Sequence, residues 1–130
     1  MTLNVEVVSP ERVQYSGEAR MVICRTTDGE IAFLTGHSPL IGALGIGEVR
    51  IFPESGDEEV AAVHGGFVEV RNDKVVILSD VAELKDQIDV DRAKEAKSRA
   101  QQAVQADGDD ADARDALRRA QVRLEVAGAA

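Results

Sequence analysis

The chain opens on a strict alternation. Leu3, Val5 and Val7 occupy every second position, with Asn4 and Glu6 between them, the pattern of a strand with one buried face. Pro10 stops it. Further β-branched runs follow at Arg20 to Arg25, Glu30 to Leu34, Gly47 to Phe52, Glu59 to Val63, Phe67 to Arg71 and Lys74 to Leu78. Ser16-Gly17, Asp28-Gly29, Ser55-Gly56, Gly65-Gly66 and Asn72-Asp73 separate them, and these residues supply the positive φ or side-chain bonds that tight reversals need. Short strands at roughly ten-residue spacing predict an antiparallel sandwich or barrel rather than a βαβ sheet. The stretch from Gly36 to Gly47 breaks the rhythm. It mixes turn residues, His37, Ser38 and Pro39, with Leu40, Ile41 and Leu44. Two readings stay open for it: a loop carrying a binding surface, or apolar side chains that plug one end of the sandwich.

From Ile88 onward the period becomes helical. Ala93, Ala96, Ala100, Ala103 and Val104 fall on one stripe, and after a break Ala113, Ala116, Leu117, Ala120 and Leu124 fall on another. The break, Ala106 to Asp110, holds a Gly suited to ending one helix and Asp residues suited to capping the next. Asp109, Asp110 and Asp112 begin the second helix and Arg118, Arg119 and Arg123 lie towards its end, a polarity that complements the helix dipole. So short a connection predicts an antiparallel helical hairpin. Its alanine seam removes little apolar area at roughly 25 cal/mol per Å², so the hairpin is expected to dock on something and to be able to undock.

Composition sharpens the division near residue 84. Residues 1–84 hold nine of the eleven Gly, all three Pro and all four aromatic residues, with 14 acidic and 6 basic side chains. Residues 85–130 hold 12 of the 18 Ala and are nearly neutral, with 10 acidic and 9 basic side chains. Two architectures therefore share the 130 residues: a β domain over 1–84 and a hairpin over 85–130. The net charge of −9 argues against nucleic-acid binding, which needs clustered Lys and Arg. No run approaches the ~20 apolar residues of a membrane span, and the N-terminus lacks a signal-peptide layout. The single cysteine, Cys24, lies within an apolar strand and reads as a small core residue.

Catalytic motifs are absent: there is no phosphate loop, dinucleotide fingerprint, zinc helix or nucleophile elbow. His37 and His64 are the only histidines, and no metal site is expected. One constellation stands out. Asp89 and Arg92 open the first helix, Arg99 lies two turns on, and Arg119 and Arg123 are one turn apart on the second. Folding the hairpin can gather these guanidinium groups, whose planar forks suit phosphate, and Asp89 can accept hydrogen bonds from a ribose or an adenine amine. The alternative is purely structural, with Asp89 as an N-cap, Ile88 and Ala93 as a hydrophobic staple, and the arginines as a solvated face.

Residues Gly29 to Leu40 (GEIAFLTGHSPL) resemble the signature stretch of the epsilon-subunit family of F-type ATP synthases. His64 to Val70 (HGGFVEV), Val75 to Asp80 (VVILSD), the opening Leu3 to Arg12 and the terminal Ala116 to Leu124 are similar to it as well. Ala32-Phe33 stands where that family more usually has Gly-Ile, and Thr35 where it has Pro, so local packing around Phe33 is expected to differ.

The resemblance implies a non-catalytic subunit: an N-terminal β-sandwich of about ten strands and a C-terminal hairpin, in a rotor stalk peripheral to the cytoplasmic face of the bacterial cell membrane. It implies contacts with the gamma subunit and the c-subunit ring, with the Gly36 to Gly47 segment (His37, Ser38, Pro39, Leu40, Ile41, Leu44) as the partner-binding candidate. It further implies a regulatory hairpin that is compact against the sandwich in one state. In the other it extends along gamma into the alpha/beta hexamer and inhibits ATP hydrolysis. No cofactor is required. ATP is the candidate regulatory ligand, because residues 88–93 match the family's nucleotide motif; Ile88, Asp89, Arg92 and Ala93 are then contacts, with Arg119, Arg123, Glu83 and Arg99 beside them. The rival reading is a stand-alone β-sandwich ligand-binding module with an oligomerisation hairpin.

Overall fold

The computed structural model describes residues 2–129. Nine strands come first among them: β1 (Leu3–Val8), β2 (Val13–Ala19), β3 (Met21–Thr26), β4 (Gly29–Phe33), β5 (Leu40–Phe52), β6 (Glu59–His64), β7 (Phe67–Arg71), β8 (Lys74–Leu78) and β9 (Ala82–Leu84). A 3-10 turn (Lys85–Gln87) then leads to α1 (Val90–Ala106) and α2 (Ala111–Ala127). One sheet runs β2-β1-β8-β7 and ends on the first residues of β5; the other contains β4, β3, the rest of β5, β6 and β9. The alternation read at the N-terminus is the cause of the core: Leu3, Val5 and Val7 are buried together with Phe33, Ile51, Val68, Val70, Val75 and Ile77 between the two sheets. Cys24 lies in the same core, where burial, aided by the negative charge of Glu30, pushes its thiol up to about 12.

Each of the seven runs singled out by their hydrophobic pattern falls on a strand, with only Arg20 and Leu34 at their ends left outside, and the sandwich with its helical hairpin is the observed fold. Three expectations are corrected. Pairing is not wholly antiparallel, because β1 and β8 run parallel. Ser16-Gly17 is not a turn but the middle of β2, with Gly17 opposite Val5. A Cβ at Gly17 would come within 2.8 Å of the Tyr15 hydroxyl oxygen, so the glycine makes room for that ring on an otherwise polar strand. Finally, Leu40 to Gly47 is not a loop. It is the first half of β5, whose Leu40–Ala43 pairs with β7 while the residues beyond pair with β3 and β6. One strand thus belongs to both sheets and closes the corner of the sandwich. The other four reversals stand as read: Asp28-Gly29 from β3 into β4, Ser55-Gly56 between β5 and β6, Gly65-Gly66 between β6 and β7, and Asn72-Asp73 between β7 and β8, the last two residues both with positive φ (51° and 59°).

Asp89 caps α1 by accepting the N–H of Arg92 at 3.1 Å, and Asp110 caps α2 by accepting the N–H of Ala113 at 3.1 Å. Ala93, Ala100, Ala113, Ala120 and Leu124 are buried as the stripes predict, but Ala103 is exposed. The hairpin lies against the sandwich through a face of α2 that the stripes omit. Val122 and Val126, one turn apart, are buried with Ala62 and Ile88 and packed by Ile46 and Val60. Burying such side chains contributes roughly 1.5–3 kcal/mol each at most, which is what an alanine seam alone does not provide.

Candidate functional site

With the hairpin docked, side chains from both halves of the chain line a cleft of about 340 Å³. From α1 and its N-cap come Asp89, Arg92, Ala93, Ala96 and Arg99; from α2 comes Arg123; from the sandwich and the turn after it come Glu83 and Gln87. Of the residues singled out in the sequence, Glu83, Asp89, Arg92, Ala93, Arg99 and Arg123 share this lining. Ile88 and Arg119 do not: Ile88 is buried in the docking cluster behind, and Arg119 is half-buried outside the lining. Ala96 and Gln87 are lining residues that the sequence reading missed. Ala96 already stood on the helical stripe, but Gln87 carries no periodic signal at all.

The electrostatic centre of the cleft is Glu83. Its Oε1 accepts a 2.6 Å charge-assisted bond from Nε of Arg123 and lies 3.6 Å from Nε2 of His64, a ring that is almost wholly buried and has no hydrogen-bond partner on either nitrogen among the described residues. The neighbouring His64 imidazole and the Arg123 guanidinium hold the Glu83 carboxyl below its ordinary range, against partial burial, which acts in the opposite direction. The Arg123 contact is the shorter and involves a permanently charged group, so it is the firmer of the two. Because that bond uses Nε, the two terminal guanidinium nitrogens of Arg123 remain for a ligand, and Asp89 keeps its second carboxylate oxygen after capping. Three arginines and two small alanine side chains in one lining suit a polyanion carrying a flat group.

On the other side of the hairpin the sign reverses. Burial first, and the negative charge of Glu125 on α2 second, raise the carboxyl of Glu48 on β5. A lowered carboxyl stabilises the docked state above its unfolded value and loses that contribution as pH falls through the folded one; a raised carboxyl imposes a penalty that acidification relieves. Glu83→Gln should therefore weaken hairpin docking at neutral pH and remove its acid-induced loss, whereas Glu48→Gln should strengthen docking at neutral pH. Hydrogen exchange of α2 amides between about pH 3 and pH 7, which spans the carboxylate range, checks both signs.

A second surface lies across the outer face of the first sheet. In register from strand to strand stand Val13, Val8, Leu78, Phe67 and Ala43. Val13, Leu78 and Phe67 are 53%, 44% and 56% exposed, and Ile41, on the neighbouring row, is 72% exposed. A shallow groove of about 330 Å³ runs along part of this row between Pro10, Phe67 and Leu78. The partner-binding candidates divide here. Leu44 is buried and Leu40 packs against the core, so both support the corner, while Ile41 is presented outward. Ser38 and Pro39 are exposed, and His37 packs edge-on against buried Phe33 at 5.0 Å and donates from Nδ1 to the Ser38 carbonyl at 2.6 Å.

Comparison with known proteins decides the family. The profile described as ATP synthase, Delta/Epsilon chain, beta-sandwich domain matches residues 2–85, and that described as ATP synthase, Delta/Epsilon chain, long alpha-helix domain matches residues 86–128. The chain belongs to the ATP synthase epsilon-chain family. The ATP synthase epsilon chain of Streptomyces griseus is 47% identical over 122 residues, covering 94% of this chain and 92% of the relative. That of Bacillus pumilus is 45% identical over 129 residues, covering 98% of each. A chain in the cryo-EM structure of the Euglena gracilis mitochondrial ATP synthase, OSCP/F1/c-ring in rotational state 1, shares the fold at a TM-score of 0.72 and 21% identity, over 98% of this chain and 78% of that one. As an epsilon-type chain it is a non-catalytic accessory subunit with a central-stalk role. No helix among the described residues is long and apolar enough to cross a membrane.

Proposed function

We propose that this epsilon-type chain couples proton flow to ATP synthesis as a rotor subunit and regulates hydrolysis through its hairpin, with ATP as the ligand that holds the hairpin down. The observation that carries this reading is the cleft: Glu83 from the sandwich, Asp89 at the N-cap of α1, Arg92 and Arg99 from α1, and Arg123 from α2 share one lining with the hairpin docked. A nucleotide bound there stabilises the compact state by its differential affinity and withdraws the helices from an inhibitory, extended position against the alpha/beta hexamer. The sandwich meets the gamma subunit and the c-subunit ring through protein contacts at the cytoplasmic face of the membrane. The exposed Val13 to Ala43 row with Ile41 supports such a face, since contiguous apolar surface of this kind marks a partner interface. Truncation after Leu84 tests the division of labour. The shortened chain should still co-purify with gamma and sustain assembly, while the assembled enzyme loses inhibition of ATP hydrolysis. Unchanged inhibition would leave the hairpin a structural element only.

A further inference from the structure

Gln87 lines the cleft beside Asp89, and its side-chain amide is held at both ends. Its Oε1 accepts the backbone N–H of Leu84 at 2.9 Å, and its Nε2 donates to Oε1 of Gln14, on β2, at 2.8 Å. Gln14 donates from Nε2 to Oγ of Ser9 at 3.1 Å, and the Ser9 hydroxyl donates to the carbonyl of Arg12 at 3.2 Å. Both ends of this chain of bonds are backbone groups. One is a carbonyl that only accepts and the other an N–H that only donates, so the direction of every bond between them is determined. Turning Gln87 over would set N–H against N–H at Leu84 and oxygen against oxygen at Gln14. The orientation of the amide, ordinarily ambiguous, is fixed here by the network.

Gln87 retains one amide hydrogen and one carbonyl lone pair, in a fixed order. Presented on one edge, such a donor and acceptor complement adenine, whose exocyclic amine donates next to a ring nitrogen that accepts. Guanine carries an oxygen where adenine carries the amine and so meets the Gln87 carbonyl with a second acceptor. Asp89 cannot make this distinction, because a carboxylate accepts from an amino group on either base. The rest of the lining is already suited to other parts of a nucleotide: Arg92, Arg99 and Arg123 to the phosphates, and the small side chains of Ala93 and Ala96 to a flat ring.

We propose that Gln87 is the residue that selects adenine over guanine in this cleft, and that Gln14 and Ser9 are positioning residues that hold its amide the right way round. The proposal rests on the reading of the cleft as a nucleotide site. The test is calorimetric binding of ATP and of GTP to the full chain. The wild-type protein should prefer ATP by about tenfold to a hundredfold, the range that one good amide-to-base pair supplies. Gln87→Glu, which keeps an acceptor and removes the donor, should bring the ratio of the two affinities to about threefold or less. Gln14→Leu should lower the ratio several-fold, and Gln14→Glu, which restores the acceptor facing Gln87, should recover it. A loss of hairpin stability alone weakens both nucleotides equally and leaves the ratio unmoved. ATP and GTP binding equally to the wild-type protein, or an unchanged ratio in Gln87→Glu, overturns the proposal and leaves the nucleotide site standing. No binding of either nucleotide overturns both.

Discussion

Replacing Val122 by Asp should release the hairpin while the sandwich stays folded. Val122 is wholly buried against Ala62, with Ile88 and Val126 in the same cluster. A carboxylate placed there has no partner, and burying it costs several kcal/mol. The docking it must overcome rests on a few apolar side chains worth about 1.5–3 kcal/mol each. In hydrogen exchange, the amides of α1 and α2 should lose protection while those of β1, β7 and β8, which surround the main core, keep theirs. The same variant should lose nucleotide binding, because Arg123 leaves Glu83 with the hairpin. Retained protection in α2 would show that docking does not depend on the Val122 face.

The second large effect concerns the cleft. Arg92→Ala should weaken ATP binding by about tenfold to a hundredfold, since hydrogen bonds to charged groups contribute about 1.5–3 kcal/mol and every 1.4 kcal/mol is tenfold. Arg92→Lys should restore only part of that, because a lysine lacks the planar fork. The side chain is exposed, and the cap on α1 uses the backbone N–H of residue 92, so thermal unfolding should move little in either variant. Calorimetry with ATP beside a thermal melt separates the two effects. Equal ATP affinity in Arg92→Ala would remove the arginine from the site.

These two predictions draw on different kinds of information. Asp89, Arg92 and Arg99 could be picked out of the sequence because a helix repeats every 3.6 residues and so brings them to neighbouring positions on one element. For Asp89 a capping role and a place in the cleft do not compete: it caps α1 with one oxygen and lines the cleft as well. Val122 and Val126 could not be picked out in that way. They share a helix with the alanine stripe, and only the position of the sandwich tells that a second face of α2 is buried. Gln87 was invisible for a related reason, since its partner Gln14 lies 73 residues away.

The β domain divides along the same line. Alternation determined that Leu3, Val5 and Val7 point inward, because side chains on a strand change face at every residue. It did not determine that β1 pairs in parallel with β8, nor that Leu40 to Phe52 is a single strand shared by two sheets. Ser16-Gly17 has the composition of a turn, yet the chain continues straight through it because Val5 supplies the pairing and Tyr15 fills the space over Gly17. By itself the sequence determined what local periodicity and side-chain chemistry can encode: a sandwich followed by a hairpin, capped helices, and arginines with an aspartate near the start of α1. The tertiary structure alone decided which faces meet, which of those arginines share a cleft with Glu83, and which apolar residues remain outside. Those depend on contacts between residues far apart in the chain, and no periodicity along one segment records them.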